Sequence, residues 1–205
     1  MSAFLGPIHY WLYGKIELQE KIVAKVIALG EKKGLSELGE TLAQKYGVFS
    51  TRPLEEIIDE GNIHGWLQDK VSRVEYKLAE SVTEILKKDV GALEEIKGIF
   101  NESGAEAAED LLREEDLNLS GVFKGITDKL LDGMPCDHAL ALTKQDVDAI
   151  EWRVMQCVHT AYWDEVGGDV EVFYTLREAW VEGFSKALGL KFSKTEERSY
   201  MISRV

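Results

Sequence analysis

Apolar residues recur at three-to-four spacing through much of the chain, the period of one face of a helix. After Pro7, whose missing N–H suits a first helical turn, the run is Ile8, Trp11, Leu12, Ile16, Ile22, Val23 and Val26, and Gly30 and Gly34 close it. The spacing predicts one long helix there, a short helix over 36–46 and another over 53–61. Asn62 then stands where it would cap a second long helix, with Ile63, Trp66, Leu67, Val71, Val74, Leu78 and Val82 as its stripe. Shorter helices are expected near 90–101, 104–115 and 122–131, the middle one starting on the capping box Ser103-x-x-Glu106.

The pattern changes at Asp132-Gly133-Met134-Pro135, a turn-rich break. Residues 138–142 and 149–157 read as two strands joined across 145–148. The second also fits a helix, with Thr143-x-x-Asp146 as a cap and Val147, Ile150, Val154 and Val158 as a stripe. The alternation in Glu151-Trp152-Arg153-Val154 favours strand. Asp169 caps a further helix carrying Phe173, Leu176, Trp180, Val181, Phe184 and Leu188, Gly189 ends it, and 190–193 with 200–205 predict a closing hairpin. The expected fold is α+β. Residues 1–132 form an N-terminal helical bundle with a duplicated helix, and residues 133–205 form a small antiparallel sheet covered by a helix.

The two long helices look like copies. Gly6-Pro7-Ile8-His9-Tyr10-Trp11-Leu12 and Gly61-Asn62-Ile63-His64-Gly65-Trp66-Leu67 share Gly, Ile, His, Trp and Leu, and Lys15 then matches Lys70, Glu20 matches Glu75 and Ala24 matches Ala79. A duplication over about 6–60 and 61–115 accounts for this. Within each copy the His and the Glu lie about three turns apart on one stripe, ~16 Å, so one helix cannot join its own pair. An antiparallel pairing would set His9 beside Glu75 and His64 beside Glu20, a second set of metal ligands. Tryptophan and histidine at a helix start also serve as a structural cap, and duplication keeps packing as readily as chemistry.

Cys136-Asp137-His138 and Cys157-Val158-His159 hold both cysteines and the remaining two histidines. In a hairpin centred near residue 147, Cys136 would face His159 and His138 would face Cys157. Residues two apart on a strand share a face, so all four would converge as a Cys2His2 set for zinc or iron. Buried thiols with half-buried imidazoles, or a redox disulfide between the cysteines, are the other readings of the same triplets. Trp163 and Arg177 are candidates for a small-molecule pocket, Trp163 as a wall and Arg177 as an anion anchor.

Over the 205 residues Asp plus Glu outnumber Lys plus Arg by 37 to 24, a formal charge of −13. With no basic stripe, this argues against nucleic acid and anionic membrane as partners. No stretch has the length of a membrane helix, the N-terminus lacks the form of a signal peptide, and a cytoplasmic location is expected. Gly-x-Gly-x-x-Gly, P-loop, Gly-x-Ser-x-Gly and His-Glu-x-x-His are all absent from the sequence.

Phe4-Leu5-Gly6-Pro7-Ile8-His9-Tyr10-Trp11, Asp132-Gly133-Met134-Pro135-Cys136-Asp137 and Tyr162-Trp163-Asp164-Glu165-Val166-Gly167-Gly168-Asp169 resemble a group of proteins of anaerobic bacteria and archaea to which no activity is assigned. Much more weakly, the layout of the C-terminal third is similar to the aminothiazoline-carboxylate hydrolase group, without the late Gly-Asp-x-x-Cys of that group. The expectation for function is metal or metallocofactor binding, zinc or iron, on Cys136, His138, Cys157 and His159, with His9, His64, Glu20 and Glu75 second. A metal-free small-molecule binding or hydrolytic domain with Cys157 as nucleophile beside His159, and a helical module forming a homodimer, are the alternatives.

Overall fold

The computed structural model describes residues 5–113 and 118–205. Helices α1 (Pro7–Lys32) and α4 (Ile63–Lys88) are the two long predicted ones, linked by α2 (Leu38–Tyr46) and α3 (Leu54–Ile57). Pro7 opens α1, and the Asn62 side chain caps α4 by accepting from the Gly65 N–H at 3.1 Å. Each buries the expected stripe, Leu12, Ile16, Val23 and Val26 against Leu67, Val71, Val74, Leu78 and Val82.

Contacts between the pair advance together along both helices. The Tyr13 ring lies 5.9 Å from that of Trp66, Gln19 reaches Glu75 at 2.9 Å, Lys77 pairs with Glu20 at 2.8 Å, and Lys33 pairs with Asp89 at 2.8 Å. The copies therefore run parallel and in register, with α2 and α3 returning the chain to the starting end. The expected antiparallel pairing of His9 with Glu75 and His64 with Glu20 does not form. Parallel packing brings like positions of the repeat together and leaves both histidines at the start of their helices. Trp11 and Trp66 are half-buried rather than core residues.

One helix, α5 (Ala92–Ala108), replaces the two expected over 90–115. Ser103 is buried within it instead of capping a new helix, because the next residue sits at the closest approach of α5 to α8 (Val170–Ala187). A Cβ on Gly104 would lie 2.0 Å from the Trp180 carbonyl oxygen, and one on Gly183 would lie 2.0 Å from that of Asn101. Helix α6 (Leu119–Lys129) follows, starting three residues before the expected one.

The sheet is four-stranded and antiparallel in the order β1 (Leu140–Gln145), β2 (Ala149–Val154), β4 (Ser199–Arg204), β3 (Leu190–Glu196). Residues 149–154 are strand, as the alternation favoured. The first hairpin pairs Leu140 with Val154 and Leu142 with Trp152, within one residue of the expected register. Trp152, Ile150, Tyr200 and Ile202 fill the buried side, with Phe123 of α6 5.3 Å from the Trp152 ring. Short helix α7 (Thr160–Glu165), not foreseen, connects the first hairpin to α8, whose Asp169 cap accepts from the Glu171 N–H at 2.9 Å. One apolar cluster runs from α1 through α8 into β2 and β4, so position 132 marks a change of element type and not a break in the core.

Candidate functional site

Polar side chains interrupt both buried stripes. Lys15 and Gln19 stand one turn apart on the inner face of α1, and Glu75 stands on the inner face of α4. Asp132, Arg177 and His159 join them from the turn after α6, from α8 and from the start of α7. His159 is 2% exposed, its Nδ1 lies 2.9 Å from Glu75 Oε2, and Gln19 donates to the other oxygen of Glu75 at 2.9 Å. Its Nε2 is 3.8 Å from Asp132 Oδ1, and its ring stacks on Phe173 at 3.8 Å between centroids. Arg177 grips Asp132 with both terminal nitrogens, at 2.7 and 2.9 Å.

Charge states follow from these contacts. Burial disfavours the imidazolium, but the carboxylates of Glu75 and Asp132 outweigh it and lift His159 to about 9. Burial would raise Asp132, and Arg177 with His159 holds it at about 2. The two carboxylates thus favour the protonated ring of His159, with its Nδ1 turned to Glu75.

Lys15 is 6% exposed, and its Nζ sits 3.7 Å from the centre of the Trp11 ring, a cation–π contact. Burial lowers it to about 8 despite the opposing pull of Asp132. The repeat conserves this feature: Lys70 lies over Trp66 at 4.9 Å.

Cys157 is half-buried in the loop before α7. The Thr160 hydroxyl donates to its Sγ at 3.0 Å. The Tyr174 hydroxyl and the backbone N–H groups of His159 and Thr160 are near the sulfur, but the Tyr174 hydroxyl is buried with no hydrogen-bond partner among the described residues. Arg198, paired with Glu171, stacks on the Tyr174 ring at 4.4 Å. Burial alone would push the thiol up. The Thr160 hydroxyl and these polar neighbours outweigh it and hold Cys157 below the ordinary thiol range.

The expected Cys2His2 set does not assemble. Strand β1 begins only at Leu140 and β2 ends at Val154, so all four residues lie beyond the paired strands. Cys136 is exposed on a 3-10 turn (Pro135–Asp137) closed by Asp137, which accepts from the Met134 N–H at 2.7 Å. His138 follows in the left-handed region at φ 48 and is exposed, while the ring of His159 is committed to Glu75. In the second set, His9 accepts from the Gly6 N–H at 2.8 Å as a structural cap, His64 is exposed, Glu20 pairs with Lys77 and Glu75 with His159. Among the described residues no group of three or more His, Cys, Asp or Glu side chains is placed to hold a metal ion. Nor does the ring of His159 serve Cys157 as a base, since it is held by Glu75 and favours its protonated form.

Trp163 is buried in the core against Phe173 rather than forming a pocket wall, and Arg177 is neutralised by Asp132 rather than open to a ligand. Lys15, Gln19, Asp132, Thr160 and Tyr174 went unread in the sequence. For Lys15 and Gln19 a signal existed, because both fall on the apolar period of α1. Asp132 read only as a turn residue, and nothing local marks Tyr174. Among the described residues no helix is long and apolar enough to cross a membrane. No family model, curated protein or solved structure matches the chain.

Proposed function

We propose that this protein acts through Cys157, a thiol held below its ordinary range, as a nucleophile toward a small electrophilic molecule. The observation that carries the reading is the Thr160 hydroxyl donating to the half-buried sulfur at 3.0 Å, in a corner whose polar groups hold the thiol below its ordinary range. A thiolate is the reactive form, and a half-buried sulfur in such a polar corner is the setting in which cysteines react selectively. The role of His159 is to fix the loop: tied between Glu75 and Asp132, it anchors the backbone whose N–H groups face the sulfur. Hydrolysis, which the likeness to the aminothiazoline-carboxylate hydrolase group implies, would need a base other than this imidazole. Zinc or iron on the paired triplets is the weaker reading, since Cys136 and His138 are exposed while Cys157 and His159 are bonded to Thr160 and Glu75.

Treating the folded protein with a limiting amount of a maleimide and mapping the adduct tests the proposal. Modification of Cys157 ahead of the more exposed Cys136 is expected. Modification confined to Cys136 would remove it.

A further inference from the structure

Near His159 the acids already have close partners: Glu75 is bonded to His159 and Gln19, and Asp132 to Arg177, while the ammonium of Lys15 stands apart from both pairs. Among the described residues no carboxylate forms an ion pair with it. Asp128, the other nearby acid on this side, accepts from the Trp11 indole at 3.0 Å and is paired with Lys124. An unpaired ammonium at 6% exposure is costly in a core, and natural cores neutralise such groups. Its copy Lys70 shows the ordinary solution, with Asp69 at 3.5 Å.

Lys15 also lines a cleft of about 150 Å³ together with Trp11, Asp132, Met134, His138 and Leu140. The cleft lies between the start of α1 and the Asp132–Leu140 turn. Its lining is apolar at Met134, Leu140 and the Trp11 ring, and Lys15, which has no ion-pair partner among the described residues, supplies a positive charge to it. A cavity of this size takes a molecule about as large as benzene, roughly six heavy atoms.

We infer that this cleft is a binding site for a small monocarboxylate, whose charge pairs with Lys15 and whose short carbon chain packs on Trp11, Met134 and Leu140. One negative charge would give Lys15 the partner it lacks among the described residues. The carboxylate of Asp132, already gripped at both oxygens by Arg177, offers no competing partner. A dianion would bring an unmatched charge, and a neutral molecule would leave the ammonium unpaired. In a chain of net charge −13, an anion has little reason to approach except at such a point. Cys157 takes no part in this site, so it stands or falls apart from the proposed thiolate chemistry.

Propionate and its uncharged analogue propionamide are the probes, with binding followed by saturation-transfer NMR on the full chain. Propionate is expected to bind and propionamide not to. Lys15→Met is expected to weaken propionate by about tenfold or more while the circular dichroism spectrum is kept, as loss of a desolvated charge partner does. Leu140→Trp, which fills the cleft and retains the ammonium, is expected to block propionate as well, and it decides the matter if Lys15→Met fails to fold. Cys157→Ser is expected to leave binding unchanged. Equal binding of propionate and propionamide, propionate binding undiminished in either Lys15→Met or Leu140→Trp, or no propionate signal with the natural protein would each overturn the assignment.

Discussion

His159, Lys15 and Asp132 titrate in the folded protein far from where they titrate in the unfolded chain, and the signs differ. His159 moves from 6.5 up to about 9, so its contribution to stability is fully present below pH 6.5 and disappears as the pH rises to about 9. Asp132 is held at about 2 against 3.8, so its contribution is present above 3.8 and is lost as the pH falls through about 2. Lys15 works the other way. Its folded value of about 8 lies below 10.5, so burying the ammonium costs most below pH 8, and the cost is relieved between 8 and 10.5. His159→Gln should therefore lose stability against the natural protein by on the order of a few kcal/mol near pH 6, with the pH-dependent part of the difference gone above about pH 9. Urea midpoints taken across this range check the sign, and a constant difference would refute it. At the sulfur, Thr160→Val removes one donor, and the Cys157 pKa should rise by on the order of one unit. Ultraviolet absorbance of the thiolate through a pH titration measures it. These groups were hidden in the sequence because a polar residue on an apolar stripe names no partner: Lys15 and Gln19 could be seen as out of place, yet Gln19 bonds Glu75 on another helix and the charges near Lys15 come from residues far along the chain.

At the scale of elements, the helices and the first hairpin were legible because their periods are local properties of the chain. The errors arose where tertiary packing decides. Parallel or antiparallel pairing of α1 and α4 depends on how α2 and α3 fold the linker, and no stripe encodes that. Cys136 and His138 left the expected strand because Pro135 and Gly133, at φ 72, turn the chain just before it. Ser103-x-x-Glu106 looked like a helix start, but Gly104 beside it is there for close packing on α8. Gly104→Ala should cost about 1–3 kcal/mol or more, since its Cβ would meet backbone that has no room to yield. The same substitution at Gly98, which faces open space in α5, should be neutral or slightly stabilising. Denaturant unfolding of the pair checks the contrast.

Across the whole molecule, the change at residue 132 suggested two parts, yet the interior is shared. α8 packs on α5, His159 is bonded to α4, and Arg177 holds the turn that joins the halves. Residues 133–205 alone would expose the inner face of α8 and leave Arg177 without Asp132 and His159 without Glu75. They are expected not to fold by themselves, and the full chain is expected to unfold in one cooperative transition. Two separated transitions in calorimetry would contradict a common core. The central claim concerns the sulfur that this core holds in place. Its most direct test is the pH dependence of iodoacetamide alkylation in a Cys136→Ser chain, where Cys157 is the only thiol, folded and again unfolded in urea. The rate midpoint of the folded protein should lie clearly below that of the unfolded chain. Coincident midpoints, or a folded value above the unfolded one, would show that burial wins over the donors and that Cys157 is an ordinary core thiol.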